Sequence, residues 1–145
     1  MAETSEPRAF AQTGFVPPPG ATEILLVRHG ASAAHVEGES FDLVDGHGDP
    51  PLAPEGVEQA ELAAQRLIDT RERIAAVYVT TLQRTVQTAA PLVERLGLEP
   101  IVEADLREVF LGDWEGGEFR RRVADGDPIA QQMYVEQRWD VIPGG

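Results

Sequence analysis

The stretch EILLVRHGAS, residues 23–32, decides the fold that we expect for this chain. Its four consecutive apolar residues predict a strand over residues 22–28 that is buried on both faces, as strands of parallel sheets are. Arg28 and His29 end this run, and Gly30 comes directly after them. Because ligands bind beyond the carboxyl ends of parallel strands, we expect the strand to deliver Arg28 and His29 to a binding site.

The segments after this strand alternate between helical and extended patterns. Apolar spacing and boundary residues predict helices over residues 54–69 and 82–96, strands over 74–80 and 99–104, and a partly helical stretch over 117–139. This order predicts an α/β fold with a mainly parallel sheet flanked by helices. A flexible lead-in rich in Pro and Gly is expected over residues 1–21, and a long loop over residues 30–53.

The composition excludes several classes of protein. With 145 residues, the chain has the length of one domain. Its net charge of −13, from 25 acidic against 12 basic residues, argues against binding to nucleic acids or acidic membranes, which need a basic surface. The sequence has no Cys for disulfides or thiolate metal sites, and no apolar run approaches the roughly 18 residues of a membrane helix. We therefore expect a cytoplasmic protein.

The triplet of Arg28, His29 and Gly30 is chemically suited to phosphate. A neutral imidazole can attack phosphorus, a neighbouring guanidinium keeps it unprotonated while gripping a phosphate oxygen, and glycine lets the backbone approach. Arg84 lies in the first turn of the second predicted helix, where a cation makes sense if it shares an anion with the helix N-terminus. The alternatives are a strand-end histidine bonded to the backbone and a solvated surface arginine. These residues alone leave the alternatives open.

Four blocks of the sequence resemble, in order, the pattern of a known family. LLVRHG, DPPLAPEGVEQA, TTLQRTVQTAAPL and LREVFLGDWEG match the histidine phosphatase superfamily, also called phosphoglycerate mutase-like, over about residues 22–145. The resemblance implies that His29 accepts the phosphoryl group and that Arg28 and Arg84 hold the phosphate. It also implies that Glu108 protonates the leaving oxygen. The implied substrate is a small phosphomonoester, and neither a metal nor another cofactor is implied.

The sequence departs from the family pattern just after the first block. Ala31, Ser32 and His35 stand where the family often has Glu, Thr and Asn. A Ser32 hydroxyl can still donate a hydrogen bond to phosphate, and the bulkier, titratable His35 can donate one too. Both are therefore candidate phosphate-binding residues. The departures put mutase-like substrate contacts in doubt and favour hydrolysis.

Further polar and aromatic residues carry weaker expectations. His47 is expected to order the long loop, with a contact to the substrate as the alternative. Arg120–Arg122 is expected to be a solvated face of a helix, the alternative being recognition of a second anionic group on a substrate. Trp114 and Trp139 are expected to be packing anchors.

The family pattern also includes a second histidine, which faces the phosphate from a later strand. This chain has no histidine after His47. We therefore expect that the last third of the domain is absent, that the first strand exposes an edge and an apolar face, and that activity is impaired. The alternatives are a protein that binds phosphate without turnover and a vestigial truncated paralogue.

Overall fold

The structure, a computed structural model, describes residues 16–70 and 73–145, so most of the expected lead-in lies outside the described residues. The described residues form four α-helices, which are α1 (Pro54–Asp69), α2 (Gln83–Leu96), α3 (Glu118–Ala124) and α4 (Pro128–Glu136). Two 3₁₀ turns, Ala104–Leu106 and Gly112–Gly117, precede α3. Within this part of the chain, no helix is long and apolar enough to cross a membrane.

The two predicted long helices are confirmed to within one residue, and their ends follow from the sequence. Pro54 begins α1, because its fixed φ suits a first turn and it lacks the N–H that would be unbonded there. Gly97 ends α2 in the left-handed conformation, with a φ of 65°. The two helices pack against each other, and Ala60 and Ala64 are buried on α1.

The strands are short and form two separate pairs. An antiparallel hairpin joins β1 (Leu43–Val44) to β2 (His47–Gly48) inside the segment that we expected to be a long loop. A parallel pair joins β3 (Tyr78–Val79) to β4 (Ile101–Val102), with α2 as the connection. The parallel direction and the order strand, helix, strand agree with the predicted α/β class, although each strand has only two residues.

The predicted buried strand over residues 22–28 is not formed. The four apolar side chains of this run are exposed: Ile24 by 75%, Leu25 by 46%, Leu26 by 93% and Val27 by 52%. Among the described residues, no backbone hydrogen bond joins this run to another segment. The apolar pattern is that of a central strand, but a strand is buried only where neighbours lie beside it and helices cover it. The exposure of these side chains contradicts the expectation of a strand buried on both faces. It agrees with the later expectation that this run exposes an apolar face.

The best-packed apolar cluster lies in the last third of the chain. Trp114, Ala130, Met133 and Ile142 are each no more than 3% exposed. Trp114 is therefore a packing anchor, as predicted. Trp139 is 43% exposed and lies at the edge of this cluster, with its ring 5.9 Å from that of Phe119.

Candidate active site

One cavity of about 250 Å³ brings together most of the predicted site residues. Five of the six line it, namely Arg28, His29, Ser32, Arg84 and Glu108. They come from the end of the apolar run, from the loop that follows it, from the first turn of α2 and from the segment after β4. The fold thus collects in one place residues that are far apart in sequence.

His29 is oriented by a hydrogen bond to its own neighbour. Its Nδ1 lies 2.7 Å from the carbonyl oxygen of Gly30. A carbonyl oxygen only accepts, so Nδ1 carries the proton of this bond, and the neutral ring keeps its lone pair on Nε2. Nε2 is therefore the nitrogen that can attack phosphorus. The alternative interpretation was a histidine hydrogen-bonded to the backbone. Nδ1 makes such a bond, and Nε2 of the same ring is not needed for it.

Gly30 is required by packing, which differs from the role that we expected. A Cβ atom at Gly30 would clash with the backbone of Gly56 on α1, and one at Gly56 would clash with the backbone of Ala31. The two glycines therefore let the loop after His29 lie directly on the first turn of α1. The amide of Gly30 donates to Oγ1 of Thr88 on α2, at 3.1 Å. Both helices thus hold the backbone beside His29.

Arg84 is buried, although it lies off the predicted apolar stripe of α2. Its Nη1 donates to the carbonyl oxygen of Gly48 in β2, at 2.9 Å, which turns the guanidinium towards the cavity. The helix N-terminus itself is capped from within the chain. The amide of Gln83 donates to a carboxylate oxygen of Asp49 at 2.8 Å, and that of Leu82 donates to the hydroxyl of Thr80 at 3.2 Å. These two amides are therefore not shared with the anion that Arg84 was expected to hold.

Ser32 is fixed by an arginine that lies outside the predicted set. Nη2 of Arg120 donates to Oγ of Ser32 at 2.7 Å, and Nη1 donates to the carbonyl oxygen of Ala33 at 2.6 Å. Because the hydroxyl oxygen accepts this bond, the hydroxyl proton remains available to a ligand. Arg120 also lines the cavity. It is the member of the Arg120–Arg122 run that lies on the same cavity as His29.

His35 is not brought to the cavity that holds His29. It lines a neighbouring cavity of about 490 Å³, whose other residues include Glu37, Glu39 and Glu118. Its Nε2 lies 2.9 Å from the carbonyl oxygen of Glu39, and its ring meets that of Phe41 edge-on at 5.6 Å. The geometry thus gives His35 a part in supporting Phe41 and does not support its predicted contact with phosphate.

Glu108 lies at the exposed rim of the cavity. Its Oε1 accepts a hydrogen bond from the amide of Val109 at 3.2 Å. The residue is on the same cavity as His29, as the predicted general acid has to be. The closed, apolar surroundings that such an acid needs are not formed around it.

Glu115 and His47 build the wall between the hairpin and the 3₁₀ turn. The Glu115 carboxylate accepts from the amide of Gly48 at 2.7 Å and from that of Leu111 at 2.9 Å. Nδ1 of His47 lies 3.7 Å from the same carboxylate, and its ring meets that of Phe110 edge-on. His47 thus orders the loop, as predicted, and also lines the cavity. The described residues hold no group of three or more His, Cys, Asp or Glu suited to a metal ion.

Arg121 and Arg122 lie on a face of α3, as expected, and do not line the cavity of His29. Both donate to the Glu118 carboxylate, at 2.6 and 2.7 Å, and these hydrogen bonds lower the pKa of Glu118 to about 2. They also pair with Asp125 and Asp127 respectively. Both guanidiniums are therefore bonded to carboxylates of α3 and of the turn that follows it.

A model of the histidine phosphatase superfamily, branch 1, matches residues 24–145. The chain belongs to this superfamily. The matched range extends from the four apolar residues before Arg28 to the C-terminal cluster and contains all the residues that line the cavity of His29. The likeness of the fold to solved structures of the superfamily confirms the predicted α/β class.

Relatives of this superfamily member carry both mutase and phosphatase names. Phosphoglycerate mutase-like protein 4 of Arabidopsis thaliana is 35% identical over 125 residues, which are 85% of this chain and 52% of that protein. A mycobacterial glucosyl-3-phosphoglycerate phosphatase in complex with VO3 matches with a TM-score of 0.56 and 32% identity, over 73% of this chain and 49% of that one. The α-ribazole phosphatase of Shigella flexneri matches with a TM-score of 0.58 and 27% identity, over 81% and 55%. The chain thus spans about half the length of these relatives.

Sequence reasoning missed several residues that shape the site of this superfamily member. The hairpin that carries His47 turns at Asp45 and Gly46, both with positive φ, and an Asp-Gly pair is a strong signal for such a turn. That signal was available in the sequence. The cap formed by Asp49 on α2 joins segments 34 residues apart and had no local signal.

Proposed function

We propose that this chain carries the phosphoryl-transfer site of a histidine phosphatase, which hydrolyses a small phosphomonoester through a phosphohistidine on His29. One observation carries the proposal: His29 shares a cavity of about 250 Å³ with three arginines, Arg28, Arg84 and Arg120. In a chain with a net charge of −13, such a gathering of cations around a nucleophile points to an anionic ligand.

In the first proposed step, Nε2 of His29 forms a bond to phosphorus while the bond from phosphorus to the ester oxygen breaks. Glu108, in its protonated form, gives its proton to the leaving oxygen. Arg28 and Arg84 neutralise the charge on the other phosphate oxygens, and this stabilisation is strongest in the transition state. The products of this step are the free alcohol and phosphohistidine.

In the second proposed step, water attacks the phosphorus atom and the bond to Nε2 breaks. The Glu108 carboxylate accepts a proton from the water, so the acid of the first step is restored. Inorganic phosphate leaves with the oxygen of the water molecule. Both the departures at Ala31 and His35 and the phosphatase names of the two structural relatives favour water over a second substrate hydroxyl as the acceptor.

Turnover of para-nitrophenyl phosphate tests the proposal, with two site variants and one matched control. We expect His29→Gln to lower kcat by at least about 10³-fold, because it removes the nucleophile. Arg84→Gln is expected to lower kcat/KM by about 10²-fold, through loss of charge stabilisation. Arg95→Gln is the control, because Arg95 lies on the same helix and pairs with Glu61 at the surface. Turnover that survives His29→Gln would contradict the assignment of the nucleophile.

Phosphate binding without turnover is a second candidate function. The observation that favours it is the exposure of Glu108, since a general acid works best where water is excluded. In this case, calorimetry detects binding of inorganic phosphate that weakens in Arg84→Gln, while para-nitrophenyl phosphate is not consumed. Turnover by the unmodified chain excludes this candidate.

A further inference from the structure

His47 is held at the cavity wall by groups that bind the next residue of the chain. The amide of Gly48 donates to Oε2 of Glu115 at 2.7 Å, and its carbonyl oxygen accepts from Nη1 of Arg84 at 2.9 Å. The His47 ring meets that of Phe110 edge-on, with 5.3 Å between the ring centroids. These contacts fix the place of the imidazole without using either of its nitrogens.

The ring nitrogens of His47 are available to a ligand. Nδ1 lies 3.7 Å from Oε1 of Glu115, which is too long for a hydrogen bond but within the range of an ion pair with a protonated ring. In the described part of the chain, the histidine nitrogens that form hydrogen bonds are Nδ1 of His29 and Nε2 of His35. No side-chain nitrogen there is buried without a partner, so Nε2 of His47 is open. Since this side chain is only 13% exposed and lines the cavity, the cavity is where a ligand can reach Nε2.

Charged groups lie near His47 on each segment that packs against it. The nearest is Glu115 of the second 3₁₀ turn, and Arg84 of α2 reaches the neighbouring carbonyl oxygen. At the tip of the hairpin, Asp45 pairs with Arg107 at 2.7 Å, so these two charges compensate each other. The other ionisable residues of the cavity are Arg28, His29, Glu108 and Arg120.

The arginines of the cavity do not balance the charge of a phosphate dianion by themselves. Three arginines and two glutamates line the cavity, so these side chains contribute one net positive charge when both carboxylates are ionised. A phosphomonoester carries about two negative charges at neutral pH. His29 does not supply the missing charge, because its ring has to be neutral to attack phosphorus. A protonated His47 supplies it, and Nε2 then carries a proton to donate.

We propose that His47 is a further phosphate-binding residue, whose protonated ring donates a hydrogen bond from Nε2 to an oxygen of the bound anion. The proposal rests on the proposed function of the cavity, which places the phosphate there. Two histidines of one cavity then act in opposite protonation states, since His29 attacks as the neutral ring and His47 binds as the cation. Protonation and anion binding are coupled: a bound anion favours the protonated ring, and loss of the proton at higher pH weakens binding of the anion.

NMR titration of the histidine Cε1–H groups tests this inference, with sulfate as the probe. Sulfate is a tetrahedral dianion whose charge stays constant over roughly pH 5 to 9, the range in which imidazoles titrate. The measurement uses the full chain with His29→Gln, in which His35 and His47 are the remaining histidines, and the unmodified chain beside it. Adding His47→Gln assigns the signals. Sodium chloride of equal ionic strength replaces sulfate in the reference titration, and His35 is the internal control, because it lines the neighbouring cavity.

We expect sulfate to move the titration midpoint of His47 to higher pH by about 0.5, which corresponds to roughly threefold tighter binding by the protonated ring. The midpoint of His35 is expected to stay in place. Arg28→Gln should reduce the effect on His47, because Arg28 lines the same cavity.

An unchanged midpoint of His47 would overturn the inference, because it would mean that this residue only orders the hairpin. Equal movement of the His35 and His47 midpoints, or an undiminished effect in Arg28→Gln, would overturn it too, since either result would place the sulfate outside the cavity. Failure of the proposed function is separate, because it would appear as lack of turnover by the unmodified chain while the effect of sulfate on His47 persists.

Discussion

The apolar run before His29 and the C-terminal cluster have similar side chains in opposite surroundings. Leu26 is 93% exposed, whereas Ile142 is 2% exposed. Ile142 packs with Trp114 of the second 3₁₀ turn and with Ala130 and Met133 of α4, while the described residues place no strand beside Leu26. An apolar pattern thus indicates what a segment is suited to bury, and the partners around it decide whether it is buried.

The loop after His29 is held in place although the apolar run before it pairs with no strand among the described residues. The loop after His29 is held by side chains of the two long helices. Gln59 on α1 accepts from the amide of Ala31 at 2.8 Å, and Thr88 on α2 accepts from the amide of Gly30. These bonds do not depend on a sheet. We therefore expect the stability of the site to follow the helices and the C-terminal cluster, and to be insensitive to the apolar run.

The largest expected effect on stability contrasts the two regions directly. Ile142→Ala leaves a cavity in the cluster and is expected to lower the free energy of unfolding by about 2–5 kcal/mol. Leu26→Ala removes a similar volume from an exposed position and is expected to change it by less than about 0.5 kcal/mol. Urea denaturation followed by circular dichroism measures both. Equal decreases in the free energy of unfolding would contradict this contrast, because they would mean that Leu26 is buried in solution.

A smaller effect is expected where the loop meets α1. Gly56→Ala adds a Cβ atom against the backbone of Ala31, and moving that backbone is expected to cost about 1–3 kcal/mol, although alanine is the better helix former. Glu58→Ala, two residues further along the exposed side of the helix, is the control and is expected to be nearly neutral. Stabilisation by Gly56→Ala would show that the loop does not lie on α1 as described.

The smallest effect concerns the pH dependence of the C-terminal region. The pKa of Glu118 is about 2, below its ordinary value of 4.5, because of the hydrogen bonds from Arg121 and Arg122. A lowered folded-state pKa stabilises the fold above the ordinary value, and this contribution is lost as pH falls from about 4.5 towards about 2. Glu118→Gln should therefore be less stable than the parent at pH 7, with a difference that shrinks over this range. Because the groups are solvated, a small difference is expected. A constant difference across the range would contradict the account.

Local signals predicted much of the fold. Pro54 and Gly97 marked helix ends that the structure confirms, and the β3–β4 pair lies within the two predicted strands. Burial of the run before Arg28 was predicted wrongly, because burial depends on partner strands that a local pattern does not contain.

The site was predicted in part, for a related reason. Motif residues such as His29 and Arg84 line one cavity, since the order of strands and helices determines which loops meet. The contacts of Arg120 and Asp49 join segments that are distant in sequence, so no local pattern predicts them. A run of three arginines does not indicate which of the three contacts the loop after His29. Gly30 is needed because a side chain there would clash with the backbone of Gly56 on α1, which its motif did not indicate.

Direct detection of a covalent phosphoenzyme tests the central claim most sharply. The full chain is incubated with a ³²P-labelled phosphomonoester, quenched in alkali, and digested to map the label. We predict acid-labile, alkali-stable label on the peptide that contains His29, and none on the same peptide of His29→Gln. Label that persists in His29→Gln, or that maps to the peptide of His47, would contradict the claim.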